Sequence, residues 1–465
     1  MKAPFPRGDD PPYPAPVSRG DDPSYSPMSR PAGPMAKSAI VSGPRDATVL
    51  AGYTTIGLGG PAERFVAARS EAELIDAVRS ADEASEPVLV LGGGSNLVIS
   101  DAGFPGTVIH VNTRGLRSAV AGDGAVDVTV AAGEDWDDVV AAAVADGLAG
   151  LEPLSGIPGR AGATPIQNVG AYGREVAEVI TEVRVYDRRD HQVRTVQNEW
   201  CAFSYRGSLF KSGRQESLIP WPGAAAGRTA GQGGAGQAWA GGQPRFVVLD
   251  VTFRLARQPL SAPVGYAELA AELGVGMGEQ ASVGEVRAAV LKIRARKGMV
   301  LNPGDPDTRS AGSFFTNPVL TAGELAQVEA AAAAHGSGQV PRYDAGEGLL
   351  KVPAAWLIEH AGFAKGYGAP GPARVSSKHT LALVNAGSAT TADLLALARE
   401  IVAGVRARFG VTLTPEPILV GITLYPGSGV MVYLSWSAGQ PVIDAGQQAC
   451  PRVRRGGRAA NGHPG

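Results

Sequence analysis

The stretch Gly150-Leu151-Glu152-Pro153-Leu154-Ser155-Gly156-Ile157-Pro158-Gly159-Arg160-Ala161-Gly162-Ala163-Thr164-Pro165-Ile166-Gln167-Asn168-Val169-Gly170-Ala171-Tyr172-Gly173 decides how the rest of the chain is read. Glycine, proline and small residues dominate it, so main-chain donors lie exposed and a flat aromatic ring could rest against it. Alone it says only that a long loop holds a large ligand. Upstream, Leu91-Gly92-Gly93-Gly94-Ser95-Asn96 follows an apolar strand, and residues without Cβ let amides approach a diphosphate closely. Ser95 and Asn96 add side-chain donors. A doubly wound dinucleotide fold needs a helix directly after such glycines, yet Leu97-Val98-Ile99-Ser100-Asp101 reads as extended chain. That counts against such a site.

Outward from these loops, helix signals alternate with strand signals. Ser70 with Glu73, Ser282 with Glu285 and Thr321 with Glu324 read as capping boxes, in which the cap oxygen accepts an early helical amide and the glutamate returns a bond. Helices are expected near 70–84, 134–146, 282–297, 321–334 and 391–409. Strands are expected at Val88–Leu91, at Thr107–Val111 and along the period-two run Val247, Leu249, Val251, Phe253, Leu255. The mixture, with long glycine-rich connections, indicates an α+β enzyme rather than a bundle or sandwich.

Bulk properties narrow the class. With 465 residues and 44% hydrophobic content, the chain can build a core in two or three units. A net charge of -2 leaves no global positive field to gather nucleic acid or anionic membrane, so neither partner is expected. Cys201 and Cys450 make no disulfide framework, and the histidines share no ligand spacing, so no metal site is expected and a reducing, cytoplasmic setting fits. No apolar run long enough to span a bilayer and no secretory signal are read. Residues 1–45, with Arg-Gly-Asp-Asp-Pro repeated, and 439–465 read as disordered tails, and 222–243 as a flexible Gly/Ala-rich insertion.

Together with Gly93-Gly94-Ser95-Asn96, the long loop resembles the flavin site of the UDP-N-acetylenolpyruvoylglucosamine reductase (MurB) family. Four more segments match in order: Phe203-Ser204-Tyr205-Arg206-Gly207-Ser208-Leu209-Phe210-Lys211, Gly265-Tyr266-Ala267-Glu268-Leu269, Ala311-Gly312-Ser313-Phe314-Phe315-Thr316-Asn317-Pro318 and Leu413-Thr414-Pro415-Glu416-Pro417. The resemblance covers most of residues 47–436. It implies a two-part FAD-binding region of the PCMH/MurB type, 46–112 with 417–436 and 113–302, plus a third α+β substrate-binding domain, 303–416. It also implies NADPH-dependent reduction of UDP-N-acetylglucosamine enolpyruvate through bound FAD, by a cytoplasmic monomer, in peptidoglycan precursor synthesis.

By that resemblance, FAD is held by Leu91, Gly93, Gly94, Ser95, Asn96, Leu97, Ile157, Gly159, Gly162, Thr164, Ile166, Asn168 and Gly170. Arg206 grips the substrate carboxylate, as a permanently charged fork can. Glu416, neutral when buried beside that carboxylate, stabilises the enolate formed by hydride addition. Ser313 gives the intermediate carbon its proton. Tyr172, Tyr266 (of the mobile substrate loop that marks one subtype), Lys297 and Asn317 contact substrate. His379 stands where some relatives carry glutamine. Two rival readings stay open: another flavin oxidoreductase of the same fold, and a non-redox nucleotide-sugar-binding protein.

Overall fold

The computed structural model describes residues 48–212 and 244–425. The predicted tails, the 222–243 insertion and Cys450 lie outside them. In chain order, β1 (Ala62–Ala68), α1 (Glu71–Glu83), β2 (Val88–Leu91), β3 (Leu97–Ile99) and β4 (Phe104–Val111) come first. Strands β1, β4 and β2 form a three-stranded sheet, parallel throughout. Because β3 follows the glycines directly, the expectation of extended chain there holds. Next come β5 (Leu116–Val120), β6 (Val126–Ala131), α2 (Trp136–Ala145), β7 (Leu148–Ala149), the long loop, α3 (Thr164–Gln167), β8 (Gly170–Ala171), β9 (Arg174–Glu175), β10 (Ile180–Asp187), β11 (Gln192–Gln197), α4 (Leu209–Ser212) and β12 (Phe246–Arg257). Their antiparallel sheet runs β11-β10-β12-β6-β5, with β7 beside β12.

The remaining elements are α5 (Ala267–Leu273), α6 (Val283–Arg296), β13 (Ser310–Ser313), β14 (Val319–Leu320), α7 (Ala322–Ala334), β15 (Tyr343–Asp344), β16 (Leu350–Lys351), α8 (Ala354–His360), β17 (Ala373–Val375), β18 (Ala382–Asn385), α9 (Thr391–Phe409) and β19 (Ile418–Val420). Small sheets β13-β18-β17 and β14-β16-β15 carry this part. The chain then returns: β19 pairs parallel with β3, Ile418 opposite Leu97, and Val420 joins Leu50, Leu91, Ile99 and Val108 in one apolar cluster. Asp101 reinforces the return by accepting the Thr391 and Ala392 amides at 2.8 and 3.1 Å, at the start of α9. A carboxylate there also suits the helix dipole.

Local chemistry explains the starts of several helices. Ser282/Glu285 and Thr321/Glu324 form complete capping boxes. At α1 the Ser70 hydroxyl accepts the Glu73 amide as expected, but Glu73 returns its bond to the Arg69 amide, one residue before the cap. A further box, Thr390 with Asp393, starts α9. Strand β12 departs from simple alternation, since Phe246 to Phe253 are buried on both faces. It lies between β10 and β6 in the middle of its sheet, where both of its faces are covered, so the period-two pattern marks the strand without marking a solvent face.

Candidate active site

The two glycine loops are pressed together by their own lack of side chains. A Cβ on Gly93 would lie 2.7 Å from the Gly159 Cα, and one on Gly159 would lie 2.8 Å from Ser95 Oγ. Gly94, at φ 60°, passes so close to the Tyr53 carbonyl that a Cβ would fall 2.0 Å from its oxygen. Among the described residues, no acceptor pairs with the main-chain N–H of Gly93, Gly94, Ser95 or Gly159. Main-chain donors without acceptors, on two loops packed too closely to admit side chains, fit the diphosphate of a dinucleotide. Leu91 is buried beneath them, Leu97 opens β3, and Ile157 packs against the largest apolar cluster.

The rest of the long loop is anchored to the fold. Trp136, buried at the start of α2, donates its Nε1–H to the Leu154 carbonyl at 3.0 Å and packs against Phe253. Gly156 N–H donates to Asp137 at 2.6 Å, and Arg287 grips the same carboxylate at 2.7 and 2.9 Å. Burial would raise the Asp137 pKa, but Arg287, the Gly156 amide and Arg294 outweigh it and hold the group below its ordinary value. Gly162 and Thr164 spend polar groups internally, on the carbonyls of Ala132 and Ala161 at 2.9 and 2.7 Å. Ile166 gives its carbonyl to the Ser208 hydroxyl at 2.8 Å. Asn168, buried and left-handed at φ 43°, donates to Glu175 Oε2 (2.7 Å) and Ser204 O (3.0 Å) and accepts from Ala177 N–H. Its side chain therefore braces the loop toward the Arg206 turn.

Arg206 and Glu416 meet, 210 positions apart in the sequence: Nε lies 2.9 Å from Oε1. The contact is an ion pair without a directed hydrogen bond from that N–H. Arg206 Nη2 also donates to the Gly170 carbonyl at 3.1 Å. The Glu416 segment is bound to the Ser313 segment, since Glu416 N–H donates to Phe314 O at 2.9 Å and Thr316 N–H to Thr414 O at 3.0 Å. Asn96 Nδ2 reaches the Glu416 carbonyl at 3.4 Å, linking the first glycine loop to the same place. Ser313 is half-buried at the end of β13, opposite Ala382. Beside Arg206, Tyr205 lines the same cavity as Asn317, whose Oδ1 accepts the Ala354 amide at 2.9 Å.

The other expected substrate residues form a second cluster. Tyr172, at φ 53°, meets Tyr266 edge-on with ring centroids 5.4 Å apart. Burial pushes the Tyr172 hydroxyl up to about 12, with Arg294 opposing it. Lys297 caps the C-terminal end of α6 and pairs with Glu268 at 2.5 Å. Burial, together with the positive charges of Lys297 and Lys365, pushes His379 down to about 4. Sequence reasoning left Glu268, Arg294, Lys365 and Lys211 unassigned. Glu268 and Lys211 stood inside quoted matching segments, which was the available signal. Among the described residues no cluster of three His, Cys, Asp or Glu side chains suits a metal, and no helix is long and apolar enough to cross a membrane.

Comparison with known proteins adds an independent line. Residues 62–196 match the model of an FAD binding domain, and residues 305–420 match that of the UDP-N-acetylenolpyruvoylglucosamine reductase C-terminal domain. The UDP-N-acetylenolpyruvoylglucosamine reductase of Thermobifida fusca is 52% identical over 377 residues, 81% of this chain and 97% of that protein. The protein of the same name from Streptomyces coelicolor is 52% identical over 378 residues, covering 81% and 90%. A crystal structure of the Thermus caldophilus reductase (MurB) aligns with 81% of this chain and 98% of that one, at 24% identity and a TM-score of 0.49. Half-identity along nearly the full length of the relatives, with an FAD domain over the glycine loops and the reductase's C-terminal domain over the whole Ser313–Glu416 region, places the chain in the UDP-N-acetylenolpyruvoylglucosamine reductase family.

Proposed function

We propose that this chain reduces UDP-N-acetylglucosamine enolpyruvate to UDP-N-acetylmuramate with NADPH, using bound FAD, in peptidoglycan precursor synthesis. The observation that carries the reading is the approach of Arg206 and Glu416 to 2.9 Å on a segment bonded to that of Ser313. When bound, FAD supplies the hydride chemistry, accepting from NADPH and giving to the vinyl carbon. Amides of Gly93, Gly94, Ser95 and Gly159 hold its diphosphate, and Leu91, Asn96, Leu97, Ile157, Gly162, Thr164, Ile166, Asn168 and Gly170 shape the surrounding walls.

Negative charge then develops beside the substrate carboxylate. Arg206 faces that charge with a fixed guanidinium, and one well-placed donor of this kind lowers a barrier by roughly 3–4 kcal/mol. Glu416, held 2.9 Å from Arg206, is the second catalytic partner of the enolate oxygen. Ser313 delivers the proton to the carbon and recovers it through solvent. Tyr172, Tyr266, Lys297 and Asn317 hold the nucleotide and sugar. The division into 46–112 with 417–436, 113–302 and 303–416 accompanies this reading, supported by the pairing of β19 with β3. A cytoplasmic monomer without nucleic-acid or membrane partners completes it, in keeping with a net charge of -2; light scattering that gave a dimer mass would remove the monomer.

The test is anaerobic. Bound flavin is bleached with NADPH, and its yellow colour returns on adding the enolpyruvyl substrate but not UDP-N-acetylglucosamine. Ser313→Ala is expected to keep the bleaching and lose the return. Equal loss of both half-reactions would remove the role given to Ser313.

A further inference from the structure

The turn that presents Arg206 is held in place from outside. Arg206 sits at φ 56°, a left-handed conformation that costs a residue with a Cβ roughly 1–2 kcal/mol. It is the third residue of a turn closed by reciprocal Ser204–Gly207 main-chain bonds, 3.0 Å each. Such a conformation persists where surrounding contacts over-determine it. Three contacts do so: Asn168 Nδ2 on the Ser204 carbonyl at 3.0 Å, the Gly170 carbonyl on Arg206 Nη2 at 3.1 Å, and Lys211 Nζ on the Arg206 carbonyl at 2.9 Å. The same Nζ donates at 2.7 Å to Gln167 Oε1, on the last residue of α3. Lys211 lines one cavity with Tyr205, Arg206, Asn317 and Pro415.

We infer that Lys211 is a positioning residue for the reduction step, clamping the Arg206 main chain to the long flavin loop through Gln167 so that the guanidinium keeps its place against Glu416. The inference rests on the reading of Arg206 as the group that faces the substrate carboxylate. An ammonium on a four-carbon stem serves because it has several donors and no acceptor, and can bond two carbonyl oxygens at once. The Lys211 side chain is exposed, yet loss of hydration among its neighbours pushes the ammonium's pKa down, with Glu416 opposing the shift and Arg206 adding to it, which sets the group beside that ion pair. Methionine would keep the apolar stem and remove both donors. Arginine would keep donors for both acceptors.

Lys211→Met and Lys211→Arg holoenzymes are compared with the parent protein in anaerobic stopped-flow, each half-reaction measured separately at saturating ligand. Lys211→Met is expected to keep its FAD content and its reduction by NADPH within about 2-fold while reoxidation by the enolpyruvyl substrate slows at least about 10-fold, because misplacement by an ångström costs up to about 100-fold. Lys211→Arg is expected to recover reoxidation to within about 3-fold of the parent. The inference is overturned by undiminished reoxidation in Lys211→Met, by equal loss of both half-reactions with loss of FAD, or by a Lys211→Arg protein as slow as Lys211→Met. A parent flavin that the substrate never reoxidises would instead remove the functional reading beneath it.

Discussion

The glycine cradle and the Arg206–Glu416 end are built from opposite materials. The cradle is main chain: Gly93 and Gly159 touch because neither has a Cβ, and the donors are amides fixed by the fold. The other end is made of side chains from three distant parts of the chain, on a turn whose Arg206 is left-handed. A site of amides binds by shape and cannot tolerate added atoms. A site of charged side chains accepts substitution structurally and loses chemistry instead. The two ends should therefore fail differently, and mutation can separate them.

The largest effect is expected at the cradle. In Gly94→Ala the new Cβ meets the Tyr53 carbonyl oxygen at 2.0 Å and the Thr54 Cα at 2.9 Å, both main chain, at a positive φ. Relief requires the backbone to move, at a cost of about 1–3 kcal/mol, and the amides move with it. FAD content, read as the ratio of flavin to protein absorbance, should collapse, and both half-reactions should fall in proportion to it. Full flavin occupancy in this variant would break the distinction at its stronger side.

Arg206→Met comes next. Methionine inherits the same left-handed backbone and fills much of the same space, so thermal stability and FAD content should stay near those of the parent. Reoxidation by the enolpyruvyl substrate should fall by about 100- to 1,000-fold, the usual loss when one donor to developing charge is removed. Stopped-flow checks it, and a variant that loses its flavin would show that the Arg206 turn belongs to the cradle after all.

How much of this contrast was legible beforehand follows from the same difference in materials. Glycines announce a main-chain site locally, so both loops, the extended chain after Asn96 and five helices were readable from residue order. Capping boxes were readable where glutamate completed them. Thr390 with Asp393 escaped because the searched pattern expects a longer acid, and the Glu73 return bond to Arg69 depends on the chain's path before the cap. The double-sided burial of β12 depends on what covers its sheet. At the other end, the roles of Arg206, Ser313 and Glu416 came from family resemblance, because nothing in the residue order brings positions 206, 313 and 416 together. The bonds of Lys211 to Gln167 and Arg206, and of Lys297 to Glu268, are tertiary contacts without a local signature.

The smallest expected effect uses one histidine from each region. His110, in β4, lies edge-on to Tyr53 at 5.3 Å beside the cradle, and burial, then Arg160 and Arg114, lower its pKa from 6.5 to about 4. His379 is lowered to about 4 by burial, then by Lys297 and Lys365, with Glu268 opposing. In both cases the unfolded chain binds a proton that the folded chain refuses. Stability linked to these groups is therefore complete above about pH 6.5, falls as pH drops through the interval down to about 4, and levels off below it. Replacing either histidine with glutamine should flatten the fall of melting temperature between pH 6.5 and 4. The two variants should then part company in the presence of UDP-N-acetylglucosamine enolpyruvate. An anionic diphosphate beside Lys297 would make a proton on His379 easier to hold, so ligand should shrink the acid sensitivity contributed by His379 and leave that of His110 alone. Melting curves of the two variants and the parent, with and without ligand across that interval, decide it. Equal ligand effects on both histidines would mean that the diphosphate does not lie at the Lys297 end.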